Sequence, residues 1–413
     1  MTSIITSPRI HNQPGPLRPR AWLTRALVDQ VLAGVPVRAL YPDGTVRGGG
    51  GPDDPALRIV RPVAFFDRLG RNPKIGLGEA YTAGDWTVAE GTDLGELLTP
   101  FAARLTALLP RPLTRLRGLV DQRVPRGLRN SLSGARANVS AHYDLSNELF
   151  ARFLDPTMSY SCAVFDGQPP YGAQSLETAQ RRKIDRILDL AGVTEGTRLL
   201  EIGTGWGALA IAAARRGALV TGVTLSSEQL DLATKWVADA GLGDRVELRL
   251  QDYRAVQGEF DAIVSVEMIE AVGEEYWPTY FAALDRLLAP GGTIALQAIL
   301  MDHDRMLATR NSFSWIQKYI FPGGLIPSRR AIEESLAANT ELRIVADDRF
   351  GPHYAETLRR WRRRFEEQSP QLRQFGFDES FRRTWEFYLA YCEAGFASGY
   401  LDVGQLQLAR GSR

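Results

Sequence analysis

The chain has 413 residues, 44% hydrophobic and 23% charged, with 49 Lys and Arg against 48 Asp and Glu. That balance excludes a disordered chain, and no apolar run approaches the roughly 20 residues that a membrane-spanning helix needs. Near-neutral charge gives no global pull toward nucleic acid, and two cysteines, Cys162 and Cys392, are too few for a disulfide scaffold or a cysteine-based zinc site.

In chain order, residues 1–20 carry Pro8, Pro14, Pro16 and Pro19 and no apolar stretch of the secretory kind. They are expected to be a flexible arm on a protein that stays in the cytoplasm. The stretch Tyr41 to Pro55, with Gly48 to Gly51 in a row, reads as a flexible connection. From Leu57 to about Leu98, β-like text (Arg58 to Phe66) gives way to Gly76, Gly78 and Gly84 and then to a helix-like stretch from Leu94 to Leu109. The expectation is a small α+β domain over residues 21–120, followed by a basic linker at 121–137. Between Phe101 and Ala137 eight arginines face one acid, Asp121, with leucines threaded through and Pro110, Pro112 and Pro125 preventing one long helix. Contact with anionic lipid headgroups and a bland arginine-rich linker both fit that segment.

From Asn138 the pattern becomes regular. Ser175 to Ala191 reads as a helix, Arg198 to Ile202 as a strand, Ala208 to Arg216 as a helix and Leu219 to Leu225 as a strand. The series continues with a helix at Ser227 to Ala240 and strands at Val246 to Leu250 and Phe260 to Val266. A helix at Tyr276 to Leu288 then breaks at Pro290-Gly291-Gly292 before a strand at Thr293 to Ile299. Such alternation predicts an α/β domain, residues 138–413, with a parallel sheet between helices. From Ser328 onward the text reads mostly as aromatic-rich amphipathic helix, with Trp361, Phe365, Phe381, Trp385 and Tyr388 taken as packing core. The arginines around Trp361 read equally as a solvated helix face or a headgroup patch.

The segment Glu201-Ile202-Gly203-Thr204-Gly205-Trp206-Gly207 runs off a strand into a helix, where open α/β sheets bind nucleotide-like ligands. The spacing is not the G-x-G-x-x-G that cradles a pyrophosphate. A carboxylate at Glu201 would repel an anion and suits a cationic, amino-bearing ligand, which fits S-adenosylmethionine. Thr224, Leu225, Asp252 and Tyr253 lie at the same predicted sheet edge, with Gln229 standing where an acid would hold the ribose. His142, His11, His303 and His353 are scattered at no metal-binding spacing, so no metal is predicted.

Several segments together resemble the cyclopropane-fatty-acyl-phospholipid synthase family. They are His142 to Asn147, Ser159-Tyr160-Ser161-Cys162, the Gly203 loop, Val266-Glu267-Met268-Ile269-Glu270, Trp315 to Gly324 and His353 to Leu358. The module with Gly76-Leu77-Gly78-Glu79-Ala80-Tyr81 and Gly84-Asp85-Trp86 resembles the extra domain of longer bacterial members. The resemblance implies a seven-stranded class I (Rossmann-like) methyltransferase core, an acyl tunnel, and methyl transfer from S-adenosylmethionine to a cis double bond of a phospholipid acyl chain. It implies Tyr160, Ser161, Glu201, Gly203, Gly205, Gly207, Thr224, Leu225, Gln229, Asp252 and Tyr253 at the cofactor. It also implies a bicarbonate base held by Cys162, Glu270, Gln297, the Ile299 main chain and Tyr354. At Gln297 the family's histidine is replaced by an amide, which donates to an oxyanion but takes no proton. Glu267 and Glu270 could instead cap the following helix, and Glu270 is favoured as the functional acid. Tyr143, Tyr319 and Phe321 are candidates to stabilise a carbocation.

Asp304 to Arg310, the Trp315 segment and Tyr388 to Val403 resemble most the branch that makes 10-methylene acyl chains, precursors of tuberculostearic acid. The expected partner is unsaturated phospholipid at a membrane surface, with no nucleic acid and with a homodimer among the open assemblies. Two other classes remain: a methyltransferase of a soluble small molecule, and a non-catalytic lipid-binding protein.

Overall fold

A computed structural model describes residues 19–104, 147–372 and 376–411. The Arg-rich segment beyond Arg104 and the motif residues His142 and Tyr143 lie outside the described residues. Of the described residues, 19–104, 311–320 and 361–400 fall in one compact unit, and 147–310, 321–360 and 401–411 in the other. This division does not follow a boundary at residue 138, because the aromatic-rich residues 361–400 fall in the first unit.

In the first unit β1 (Arg38–Leu40), β2 (Val46–Arg47), β3 (Ala56–Ile59) and β4 (Trp86–Val88) form a sheet in the order β2-β1-β3-β4. The stretch expected as a flexible connection is part of this sheet: β2 pairs antiparallel with β1, Gly49 donates to Leu32 and Gly50 to Val37. Gly48, at φ 120°, lies where a Cβ would come within 2.1 Å of the Val37 carbonyl oxygen. Its lack of a side chain therefore serves close backbone approach and not looseness. The β-like text after Arg58 also changes state: Pro62 opens a helix, Pro62–Arg71, and Phe65, Phe66 and Leu69 are its buried face. Helices Pro19–Ala33, Pro73–Ala83, Leu94–Arg104, Trp315–Tyr319 and Glu379–Ala397 also belong to this unit. Its aromatics do pack on one another, with Phe365 stacked on Trp385 at 6.3 Å and Phe381 tilted against the same indole at 5.9 Å.

Arg362 answers neither reading offered for its cluster. Its side chain is 2% exposed and lies among Glu393 (3.0 Å), Asp93 (2.7 Å) and Glu366 (2.9 Å), each on a different guanidinium nitrogen. A guanidinium can be buried at tolerable cost only when its donors are met in this way.

The second unit holds a seven-stranded sheet, β10-β11-β9-β8-β5-β6-β7. Here β5 is Arg198–Ile202, β6 Leu219–Thr224, β7 Val246–Leu250, β8 Phe260–Val266, β9 Leu288–Met301, β10 Leu342–Arg349 and β11 Leu401–Arg410. β11 runs antiparallel to both β9 and β10, while the remaining pairs are parallel. Four strands, β5 to β8, agree closely with the sequence pattern. β10 and β11 fall in text expected to be helix, and β9 begins at Leu288, running through the Pro290-Gly291-Gly292 break.

Alternate residues of each strand feed two cores. Leu200, Ile202, Ile263 and Leu296 join helices Trp277–Leu287 and Arg329–Asn339 on one face. Leu199, Ala262, Val264 and Ala295 join helices Leu176–Leu190 and Ala208–Arg215 on the other. The chain leaves β5 toward β6 and β7 and returns on its other side as β8. The gap between the carboxyl ends of β5 and β8 is thus a topological switch point, where such sheets place their ligands.

Candidate active site

Both loops at the switch point carry expected site residues. After β5, Gly203, Gly205 and Gly207 take φ of 86°, 56° and 89°. A Cβ on Gly203 would meet Met268 at 2.6 Å, whereas one on Gly205 would meet nothing within 4 Å, so the backbone there borders open space. Glu201 is 4% exposed and one of its oxygens, Oε2, is buried without a hydrogen-bond partner. Burial pushes its carboxyl well up, and Lys183 opposes this. A bare loop and an unmatched buried carboxylate oxygen suit a cationic, amino-bearing ligand, so the residues fit S-adenosylmethionine.

Tyr160 packs edge-on to Phe150 at 5.2 Å, and Phe150 touches Trp206 of the glycine loop at 5.1 Å. Trp206 Nε1 in turn donates to Asn147 Oδ1 at 2.7 Å. The Tyr160-Ser161-Cys162 segment is thereby tied to the loop through one aromatic cluster. At the next two strand ends, Thr224 Oγ1 donates to Gln229 Oε1 at 3.1 Å, and both residues are buried. Asp252 holds Arg254 through both oxygens, at 2.8 and 2.6 Å. Burial works to raise that carboxyl, but Arg254 keeps it below the usual range. Tyr253 is buried edge-on to Tyr280.

The structure brings Cys162, Glu270, Gln297, Ile299 and Tyr354 together, but the donors of Cys162, Gln297 and Tyr354 converge on Glu267. The Cys162 amide donates to Glu267 Oε1 at 2.9 Å, Gln297 Nε2 to the same oxygen at 2.9 Å, and the Tyr354 hydroxyl to Oε2 at 2.6 Å. Glu267 itself sits at φ 52°, a conformation that costs a residue with a side chain energy and is tolerated mainly where function requires it. The Ile299 amide donates to Glu270 Oε1, while Glu270 Oε2 is buried without a partner. Cys162 contributes its main chain: its thiol turns to the Ala163 carbonyl at 3.2 Å, and burial pushes the thiol up.

The two acids differ because their surroundings differ. Glu267 is raised by burial, opposed by Tyr354, the Cys162 amide, Gln297 and Lys183. Glu270 has only backbone donors, its own amide and that of Ile299, and the charge of Glu267 beside it; burial followed by that charge pushes it up to about 8. Of the pair, Glu270 is thus the acid pushed toward its neutral form and Glu267 the one whose ionised form its donors favour.

Bicarbonate does not fit this arrangement. Each donor assigned to it already has a carboxylate acceptor, and an added anion would face two acids with Gln297 Nε2, Tyr354 and the Cys162 and Ile299 amides engaged. Tyr319, a candidate to steady a cation, belongs to the first unit, where its hydroxyl donates to Glu79 at 2.7 Å. Among the described residues no group of three or more His, Cys, Asp or Glu could hold a metal, and no helix is long and apolar enough to cross a membrane.

Sequence reasoning missed Lys183, Gln180 and Gln405. Lys183 Nζ donates to Ser161 Oγ, and Gln180 Nε2 to the Ser161 and Ser159 carbonyls, all from the buried face of helix Leu176–Leu190. The available signal was two polar residues at positions i and i+3 among Ala179, Ile184 and Ile187. On a surface helix they would read as solvent-facing, yet both are at most 3% exposed.

Comparison with known proteins adds the following. The family model described as mycolic acid cyclopropane synthetase matches residues 130–406. The tuberculostearic acid methyltransferase UfaA1 of Mycobacterium tuberculosis is 53% identical over 393 residues, 94% of this chain and 91% of that protein. The cyclopropane-fatty-acyl-phospholipid synthase of Escherichia coli is 34% identical, covering 89% of this chain and 91% of its own. Among solved structures, the cyclopropane synthase MmaA2 of Mycobacterium tuberculosis superposes with a TM-score of 0.61 at 32% identity, over 67% of this chain and 98% of that one. The mycolic acid cyclopropane synthase CmaA1, solved with S-adenosylhomocysteine, gives 0.60 at 32% identity, over 66% and 97%.

Proposed function

Since the chain belongs to the mycolic acid cyclopropane synthetase family, we propose that it methylates the cis double bond of unsaturated acyl chains in membrane phospholipids and releases a 10-methylene product. It is an S-adenosylmethionine-dependent fatty acyl C-methyltransferase. The 53% identity to a tuberculostearic acid methyltransferase supports the methylene branch over the cyclopropane one.

Bound S-adenosylmethionine supplies an electrophilic methyl carried on sulfur. The chain's part is to hold that group at the glycine loop, near the Glu201 carboxylate, and to keep water away from an alkene that is a weak nucleophile. Transfer of the methyl to one alkene carbon leaves a cation on its neighbour. For a methylene product, a hydride moves from the methylated carbon to that neighbour, and a proton then leaves the former methyl as the new double bond forms. Loss of a proton from the methyl without the hydride shift closes a three-membered ring instead.

Either route needs one proton acceptor, and the observation that carries this reading is the convergence of Cys162, Gln297 and Tyr354 on Glu267. We assign the acceptor role to the Glu267 carboxylate and derive no step through bicarbonate. Burial makes it a better base than a solvated carboxylate, while three donors favour its ionised form and oppose that rise.

Mass spectrometry of lipids from a host that expresses the chain tests the reading. Exocyclic methylene chains are expected, and replacing Glu267 with Gln should cut their formation by about 100-fold or more. Unchanged lipids, or full activity in E267Q, would overturn it. Cyclopropane chains alone would retain the methyl transfer and overturn the methylene assignment.

A further inference from the structure

Gln405 lies on β11 directly opposite Gln297 on β9, the two being register partners and each 1% exposed. Strand alternation puts them on the face covered by helix Leu176–Leu190, since Leu406 and Leu408 belong to the opposite core. An apolar core would be the ordinary occupant here. Instead Gln405 Nε2 donates to Gln297 Oε1 at 3.1 Å and to the Lys183 carbonyl at 3.3 Å. Both partners are acceptors, so this end of the Gln405 amide must be the nitrogen: turned over, its oxygen would face two oxygens. Gln405 Oε1 is left buried without a partner, a cost that the fold accepts on the other side of the same amide.

The consequence passes to Gln297. With its oxygen taken by Gln405, its nitrogen faces Glu267 Oε1 and the Cys162 carbonyl, at 2.9 and 3.2 Å. While Glu267 is ionised, this orientation would hold by itself, because a carboxylate attracts the N–H. Once Glu267 takes a proton, a free amide could turn over and accept a hydrogen bond from the new hydroxyl. The Cys162 carbonyl opposes that turn from the nitrogen's side, and Gln405 opposes it from the oxygen's side. Resting on the assignment of Glu267 as proton acceptor, we propose that Gln405 is a positioning residue that locks Gln297 as a donor in both protonation states, so that protonated Glu267 gains no acceptor there and the ionised base is favoured.

The groups that face Glu267 are the Tyr354 hydroxyl from helix Gly351–Leu372, the Lys183 ammonium from helix Leu176–Leu190, the Glu270 carboxyl from the short helix Ile269–Val272 after β8, and the amide of Cys162. Among them Gln405 meets only the Lys183 residue, at its main-chain carbonyl, so the comparison of Q405M with Q297M, which leaves that bond in place, makes the pH profile a specific readout. In Q405M the ascending limb of kcat/KM against pH should move up by about one unit, so that below the limb the rate is about tenfold lower and above it the rate recovers. Q297M should move the limb the same way, and Q405M added to Q297M should move it no further. Q405E, closer in shape and suited if Q405M folds poorly, should shift it further because the new carboxylate would draw the Gln297 nitrogen away from Glu267. A parallel loss at every pH, or additive shifts in Q405M and Q297M, would overturn the proposal. If E267Q keeps full turnover, the acceptor assignment itself fails, and that result is independent of the Q405M profile.

Discussion

Lys183 Nζ donates to Ser161 Oγ over 2.7 Å, and both side chains are withdrawn from solvent. A lysine in such a place loses hydration, and burial lowers its proton affinity, while Glu267, Cys162, Asp155 and Glu201 pull it back up. It is a buried cation shared by Glu267, Asp155 and Glu201.

Replacing Lys183 with Met keeps the bulk and removes the charge. Glu201 should then hold its proton more tightly and attract a cationic ligand less. The expected outcome is at least about a tenfold loss of S-adenosylmethionine affinity in a calorimetric titration, with the fold intact by circular dichroism. Undiminished affinity would show that Glu201 does not act through its charge.

Tyr354→Phe removes one donor from Glu267 and nothing from the glycine loop. Turnover at neutral pH should fall about 10- to 100-fold, the range of a hydrogen bond to a charged group, with cofactor affinity unchanged. Glu270→Gln should likewise spare cofactor binding and lower turnover, and single-turnover assays with titration of the cofactor separate the two effects.

The pH dependence of stability follows from Glu270. Its carboxyl titrates near 4.5 in an unfolded chain and is pushed up to about 8 when folded, by burial first and Glu267 second. Across that window the unfolded state is ionised while the folded state keeps its proton. Stability should therefore be greatest below the window and decline as pH rises, at up to about 1.4 kcal/mol per pH unit. In E270Q this contribution vanishes, so urea midpoints at pH 5.5 and 7.5 should lie closer together than in the wild type. Equal spacing in both proteins would contradict the assignment.

In the first unit, Arg362→Leu should leave Asp93, Glu366 and Glu393 facing one another without their cation. A destabilisation of about 3–5 kcal/mol is expected, seen as a lower denaturation midpoint. Arg359→Ala should cost far less, since that side chain is 40% exposed.

The sequence pattern located much of the second unit because parallel strands buried on both faces read as short apolar runs between helices. It misassigned β10 and β11. β10 shows only a weak alternation, one buried residue at Leu342 and mostly exposed ones after it. In β11 the inward positions on one face are Val403, Gln405 and Gln407, so half of its alternation is polar although Gln405 is buried. The same polar insertion hid Gln180 and Lys183 in their helix. Glu267 and Glu270, two acids three apart after a strand, look alike in text, and nothing local to them marks Glu267 as the acid that receives the donors.

What the sequence alone determined is what short-range periodicity and residue chemistry can encode: the order of strands and helices, the glycine turn at residues 203–207 and the motif segments that mark the family. Only the tertiary structure decided which acid receives the donors. Residues 162, 267, 297, 354 and 405 meet through sheet order and strand register, and a one-residue slip in β9 or β11 would turn Gln297 or Gln405 to the other face. Hydrogen-bond partners separated by such distances along the chain leave no local pattern, because each is fixed by packing that involves the whole sheet.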